Sequence, residues 1–233
     1  MKLNQQPIEK LIHRDDGVLD VHSVFYTIQG EGPFAGRPAV FVRLAGCNLQ
    51  CPQCDTDYTS SRTMLPVDAL VEMINEENHA ATLVVITGGE PFRQNIGPLV
   101  EMLDYIGYQV QIETNGTLYN GEFPFSKAVV ICSPKAGQLA KGFQLNPRAI
   151  TAFKYVAQAS TLAFDGLPTL ALAHPASPQV ARPPESFIGP VYLQPVDERN
   201  ATLNDDNLAA CVKSCKQHGY TLGIQLHKII GEL

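Results

Sequence analysis

The sequence has no excess of positive charge: 17 Lys and Arg against 23 Asp and Glu give a formal charge of −6. With a pI near 5.5, this balance argues against a nucleic-acid backbone as the main partner. No apolar run reaches the length of a membrane-spanning helix. Residues 1–17, MKLNQQPIEKLIHRDDG, lack the apolar stretch of a signal peptide. There is no internal repeat and no low-complexity tract. A reducing cytoplasm is the expected compartment, which suits thiols that stay unpaired. Cysteine is scarce, with six in the chain, yet three of the six fall within eight residues. The rest is ordinary: 233 residues, 45% hydrophobic, supply ample core for one large domain or two small ones.

Residues 1–20 are polar and mixed in charge, and read as an N-terminal extension with room for one short helix. Residues 21–233 read as a single domain. Val24 to Pro38 carries glycines at 30, 32 and 36 and prolines at 33 and 38, which predicts a turn-rich loop. Ala39 to Leu44 is apolar and β-branched, a buried strand that runs into the cysteine loop. Val67 to Asn78 has a helical stripe at 67, 70, 71 and 74. Leu83 to Ile86 predicts a strand ending in Thr87-Gly88-Gly89-Glu90-Pro91. Pro98 to Ile106 predicts a helix with Leu99, Met102, Leu103 and Ile106 inward. Gln109 to Ile112, Val129 to Cys132, Phe153 to Ala157 and Val191 to Leu193 are further strands. Polar segments follow three of them: Glu113-Thr114-Asn115-Gly116, Ser133-Pro134-Lys135 and Gln194-Pro195-Val196-Asp197. His174 to Pro190 holds five prolines and predicts an irregular connection. Asn204 to His218 predicts a helix capped by Asn204, with Leu208, Cys211, Val212 and Cys215 on one face and Gly219 closing it. Tyr220 to Leu226 predicts a final strand. Strand–helix alternation with polar motifs at strand ends predicts an α/β fold, a mostly parallel sheet in a partial barrel. Such sheets place their chemistry at the C-terminal ends of the strands.

Cys47, Cys51 and Cys54 stand at C-x3-C-x2-C, so one loop aims three sulfurs at a common point. A tetrahedral zinc site wants a fourth ligand, and none follows at finger-like spacing. A [4Fe–4S] cubane has four irons, so three thiolates leave one open to a non-protein ligand. Cys132, Cys211 and Cys215 read as buried small hydrophobes instead.

The spacing and its flanks resemble the radical S-adenosylmethionine (SAM) superfamily, whose fold is an incomplete TIM-like barrel. The resemblance implies that SAM chelates the open iron and that the Gly-Gly-Glu turn after the second strand holds its amino end. It narrows to the 7-carboxy-7-deazaguanine synthases of queuosine biosynthesis, from about Val24 to the C-terminus and weakest over 160–189. The segments that carry it are Gln29-Gly30-Glu31-Gly32 with Arg43, Cys54-Asp55-Thr56, Ser133-Pro134-Lys135, and His227-Lys228.

That family implies a radical SAM lyase converting 6-carboxy-5,6,7,8-tetrahydropterin to 7-carboxy-7-deazaguanine with loss of ammonia. The implied substrate residues are Ile28, Gln29, Gly30, Glu31, Arg43, Thr87, Glu113, His227 and the C-terminal carboxylate of Leu233. The implied SAM residues are Gln53, Cys54, Asp55, Gly89, Glu90, Ser133, Pro134, Lys135, Gln194, Pro195, Val196 and Asp197. Thr56 is implied as the Mg²⁺ ligand beside a substrate carboxylate. An external flavodoxin-like one-electron donor and a homodimer complete the expectation. Physically, Arg43 suits a carboxylate, and Gln29, Glu31 and Glu113 suit the amide and amine edges of a pterin. Two alternatives stay open: a radical SAM enzyme that activates a partner protein, and an iron–sulfur or zinc module with no catalysis. The first would not need Gln29, Glu31, Arg43 and His227, and the second leaves the Gly-Gly-Glu turn unexplained.

Overall fold

The computed structural model describes residues 3–12 and 14–232. Its strands are β1 (Val18–Ile28), β2 (Pro38–Leu44), β3 (Thr63–Pro66), β4 (Leu83–Gly88), β5 (Gln109–Thr114), β6 (Ala128–Cys132), β7 (Ala152–Ala157), β8 (Val191–Pro195) and β9 (Thr221–Leu222). Its α-helices are α1 (Val67–Glu77), α2 (Gly97–Tyr105), α3 (Lys141–Leu145), α4 (Ala201–His218) and α5 (Leu226–Ile230). The strands form one sheet in the order β3-β1-β2-β4-β5-β6-β7-β8-β9. From β2 through β9 all neighbours are parallel, while β1 runs antiparallel to both β2 and β3. The two outermost strands do not pair with each other among the described residues, so the barrel is partial, as the alternation predicts.

The strand period of two sorts the side chains of this sheet. Val40, Val42 and Leu44 of β2, Val84 and Ile86 of β4, Val110 and Ile112 of β5, and Phe153 and Tyr155 of β7 face outward. There they meet the apolar faces of the helices in the main core. The alternate residues face inward. At the bottom they are Ala39, Leu83 and Val85, a small dry floor packed by Phe34 and Phe41. Higher up they turn polar: Arg43, Thr87, Glu113, Lys154 and Gln194 all line one cavity. Because the strands are parallel, these polar ends lie together at the C-terminal rim.

Several elements differ from the sequence reading. The turn-rich stretch is shorter than Val24 to Pro38: residues 29–37 are the turn, but 24–28 belong to β1, which runs eleven residues to Ile28 and pairs with β2 from Val21↔Leu44 to Ile28↔Pro38. Its alternation is broken by Asp20, His22 and a register irregularity between Val21 and Ser23, which hides the strand in the sequence. The short β3 also went unpredicted, since its residues are mostly exposed. Residues 3–12 form no helix; an isolated bridge joins Ile8 to Cys47.

In α2, Met102 and Ile106 are exposed, and Val100 takes the inward place. In α4 the cap is Asn200, whose side chain accepts from Leu203 N at 3.1 Å, rather than Asn204. Asn204 instead joins the loop before the helix, accepting from Glu198 N and donating to Asp197. Leu208 and Val212 are largely exposed, and the buried face of α4 is Asn207, Cys211, Ser214 and Cys215. Two polar residues on that face escape an apolar-stripe reading because their partners are backbone groups: Asn207 bonds Ala159 N and Val196 O, and Ser214 bonds Gly166 O. The final strand shrinks to Thr221–Leu222, and Leu226 onward turns into α5. His174 to Pro190 is irregular, as predicted.

Candidate active site

The cysteine loop leaves the C-terminal end of β2. Cys47 and Cys51 are buried, Cys54 is half-buried, and all three are free thiols facing a cavity of about 680 Å³. Burial pushes the Cys47 thiol up to about 12 and that of Cys51 up to about 11, and it raises Cys54 as well. Without metal these groups hold their protons at neutral pH, so iron binding releases protons. No three His, Cys, Asp or Glu side chains converge on a single-ion site among the described residues. A cubane takes each thiolate on a different iron, so its three sulfurs need not converge on one point.

The surroundings fit the larger group. Gln53 Oε1, Gln194 Oε1 and Arg43 Nε are buried without a hydrogen-bond partner, and all three residues line the cavity. Buried polar atoms left unpaired in this way fit a polar ligand. Lys135 lies beside the thiols with no carboxylate in salt-bridge range among the described residues. Its Nζ donates to Ser133 O at 2.8 Å and to Ser133 Oγ at 2.5 Å. Burial lowers its pKa, and Cys51 is the largest influence in the other direction.

The Thr87–Pro91 turn closes under the loop. A Cβ on Gly89 would stand 2.0 Å from the Gly46 carbonyl oxygen and 2.8 Å from Cys47 Cβ. A Cβ on Gly88 would meet the Leu44 oxygen at 2.2 Å. The glycines thus let β4's end pack against the backbone that carries the first cysteine. Gly89→Ala is expected to displace Cys47, cut cluster iron at least severalfold and cost about 1–3 kcal/mol of stability. Iron content after reconstitution and the thermal midpoint would check it.

The same cavity carries a charged rim. Lys154, 5% exposed, reaches Glu31 at 2.5 Å and Glu113 at 3.1 Å. Glu113 also accepts from Gln29 Nε2 at 3.2 Å and Gln111 Nε2 at 3.0 Å, and Glu31 from Gln225 Nε2 at 2.9 Å. Burial alone would raise the Glu31 carboxyl, but the Lys154 charge and these hydrogen bonds outweigh it and hold it at about 2. Lys154 is correspondingly raised against its own burial by the two carboxylates. Arg43 stacks over Phe25, 5.2 Å from the ring centre, and has no ion-pair partner among the described residues.

The C-terminal residues fold over this rim. Leu226 N donates to Gly30 O at 3.0 Å, and a Cβ on Gly30 would overlap the His227 ring at 2.0 Å. Lys228 stands 3.6 Å from Asp55 on the cysteine loop and 3.7 Å from Asp197 at the end of β8. Glu232 accepts from Thr27 Oγ1 at 3.3 Å.

The residues nominated from sequence therefore meet in one place. Ile28, Gln29, Gly30, Glu31, Arg43, Gln53, Asp55, Thr56, Thr87, Gly89, Glu113, Ser133, Lys135, Gln194, Val196, Asp197 and His227 all line the cavity with the three thiols. Glu90, Pro134 and Pro195 do not. Glu90 is fully buried behind the turn, its carboxylate accepting from Thr114 Oγ1, Asn115 N and Phe92 N. Those three bonds oppose burial, which still raises its pKa to about 7. Glu90 thus ties the ends of β4 and β5 together instead of facing a ligand. Leu233 lies outside the described residues.

Lys154, Gln111 and Gln225 were missed, and Lys228 entered only as the neighbour of His227 in the segment that carries the resemblance. Lys154 carries a visible signal, a lone charge inside the apolar strand AFKYVA, where only an ion-paired lysine is tolerated. Gln225 carries none, because its partner Glu31 comes from the opposite end of the chain.

A family profile described as "Radical SAM superfamily" matches residues 42–126, from the end of β2 through the cysteine loop and the Gly-Gly-Glu turn to just before β6. Fold, thiol triad and match together define a radical SAM protein. The chain is 46% identical over 225 residues to the 7-carboxy-7-deazaguanine synthase of Rhodospirillum rubrum, covering 93% of each chain. It is 35% identical to that of Rickettsia prowazekii, covering 97% of this chain and 93% of the relative. The crystal structure of QueE from Escherichia coli shares the fold, with a TM-score of 0.67 at 23% identity over 90% of this chain and 95% of that one. The chain belongs to the 7-carboxy-7-deazaguanine synthase family.

Proposed function

We propose that this protein makes 7-carboxy-7-deazaguanine from 6-carboxy-5,6,7,8-tetrahydropterin, releasing ammonia, as a radical SAM lyase of queuosine biosynthesis. The observation that carries the reading is that one cavity is lined both by the three thiols and by the charged cluster of Lys154, Glu31 and Glu113. Family membership favours it over activation of a partner protein.

Cys47, Cys51 and Cys54 would hold a [4Fe–4S] cluster, with SAM against Gln53, Gly89, Ser133, Lys135 and Gln194. When bound, cluster and SAM would supply the radical chemistry that removes hydrogen from the pterin. The chain's own residues place and enclose the substrate. Arg43, half-buried and without an ion-pair partner among the described residues, offers its guanidinium to the pterin carboxylate. Glu31, held ionised, and Glu113 accept from the amine and amide edge, and Lys154 keeps the two carboxylates from repelling each other. His227 and the α5 segment cover the substrate and keep water from the radical. The Leu233 carboxylate would add a further acceptor. Thr56, on the cavity wall, would bind Mg²⁺ together with the substrate carboxylate, orienting the rearranging molecule. A homodimer in a reducing cytoplasm, fed electrons by a flavodoxin-like donor, completes the proposal. Six free thiols suit that compartment.

Anaerobic incubation with the carboxypterin, SAM and reductant, followed by mass spectrometry, tests the function: the expected product has lost one ammonia. SAM cleavage without a deazapurine product would overturn the substrate assignment. Arg43→Ala is expected to keep its iron and its SAM binding. Its KM for the carboxypterin should rise on the order of 10²-fold or more, as for a buried charged pair that loses one member. An unchanged KM would remove Arg43 from the pocket.

A further inference from the structure

Residues 3–12 belong to no helix or regular strand, yet they run along the cysteine loop and bond to it through Asn4, Gln6 and Glu9. Asn4 donates from its backbone to the Pro52 carbonyl at 2.9 Å and from Nδ2 to the Cys51 carbonyl at 3.2 Å. Gln6 spans the far side of the loop: its Nε2 donates to the Thr56 carbonyl at 2.8 Å. Its Oε1 accepts from Tyr58 N at 2.8 Å and Thr59 Oγ1 at 3.0 Å. The Gln6 carbonyl accepts in turn from Gln50 Nε2 at 2.6 Å. Glu9 N donates to the Cys47 carbonyl at 2.7 Å. Arg93, 2% exposed, pins the far end by donating to Ala45 O at 2.7 Å and Lys10 O at 3.1 Å.

The loop cannot hold itself. Between β2 and β3 it forms no helix or strand. Its internal backbone bonds among the described residues are Cys54 N to Cys51 O at 3.1 Å and Gly46 N to Tyr58 O at 2.9 Å. Without residues 4–9, the carbonyls of Cys47 and Pro52 lose their protein partners, and the loop regains conformational freedom. A metal group that needs three thiols at fixed separations binds more weakly to a loop that must first be ordered.

We propose that residues 4–9 are a positioning strap that holds Cys47, Cys51 and Cys54 in their metal-binding arrangement before iron arrives, with Gln6 as its hub. The proposal rests on the iron–sulfur reading of the loop. Asn4 and Gln6 touch loop backbone and the Tyr58 and Thr59 side chains, not sulfur, so they act through the loop.

The test compares the wild type with Gln6→Ala and Asn4→Ala/Gln6→Ala in two ways. In metal-free protein, iodoacetamide labelling of each cysteine is followed by mass spectrometry. Labelling of Cys47, Cys51 and Cys54 is expected to speed up about tenfold in Gln6→Ala, the scale of one net hydrogen bond lost from a local opening. Cys132, Cys211 and Cys215 should label at the wild-type rate. In reconstituted protein, iron transfer to a chelator should accelerate by a similar factor. Gln6→Glu keeps the acceptor for Tyr58 N but loses the donor to Thr56 O, and should fall between. Unchanged labelling of the three loop cysteines in the double variant overturns the strap. So does an acceleration shared by all six cysteines, which marks general loss of stability. The labelling arm needs no iron, so a wild type that takes up no cluster would sink the functional reading and leave this arm able to decide.

Discussion

Replacing any one of Cys47, Cys51 or Cys54 with Ala is expected to eliminate the intact cluster and all SAM cleavage. A methyl group offers no electron pair to iron, so the cluster loses one of its three protein ligands. Iron and sulfide per chain after anaerobic reconstitution, with 5′-deoxyadenosine as the cleavage readout, would check it. Cys132, Cys211 and Cys215 serve as controls. Cys132 is fully buried against Gly116, and Cys211 and Cys215 pack under α4. Their Ala variants should keep full iron and lose about 1–3 kcal/mol through small voids. Loss of cluster iron in Cys215→Ala would break the division between the two sets.

Lys154→Met is expected to be the most damaging substitution outside the cysteine loop. Met fills the same volume, so packing survives, but Glu31 and Glu113 are left facing each other without a cation. Breaking a buried pair by removing one partner costs about 3–5 kcal/mol, which corresponds to roughly 10 °C in thermal midpoint for a chain of this size. The pH dependence should change sign. In the wild type Glu31 is held at about 2, down from 4.5, so its contribution is fully present above pH 4.5 and lost as pH falls toward 2. In the variant, burial and the neighbouring negative charge raise the Glu31 carboxyl, and the penalty is relieved as pH falls and Glu31 takes a proton. The gap between variant and wild type should therefore narrow from pH 7 to about pH 5. Adding Glu31→Gln to Lys154→Met should recover part of the loss. A gap that stays constant with pH would show that Lys154 acts through packing alone.

The two substitutions differ in how far the sequence announces them. The three thiols were legible because a cluster loop must gather its ligands within one short segment, and C-x3-C-x2-C is that segment written out. Arg43, Thr87, Glu113, Ser133 and Gln194 were legible in position because each stands at or just beyond the end of an apolar run. In a parallel sheet, run ends converge on one rim. The β1 strand was not legible: Asp20 and His22 interrupt its alternation, while the Gly- and Pro-bearing turn that follows made the whole region read as loop. Nor was the buried face of α4, whose Asn207 and Ser214 are satisfied by backbone groups distant in the chain.

By itself, then, the sequence determined the elements and the chemistry whose parts lie close together in the chain. These are the thiol triad, the glycine turn after β4, the strands β2 and β4 to β8 with helices α1, α2 and α4, and the family. Local periodicity and short spacing encode such features directly. Only the tertiary structure decided the pairings that join distant segments. Lys154 meets Glu31 across 123 residues and Glu113 across 41, and Gln225 reaches Glu31 across 194. Gln6 grips Thr56 across 50. Nothing in the neighbourhood of these residues specifies their partners. The partners are set by which strand ends and chain segments the closing of the sheet brings within hydrogen-bonding reach.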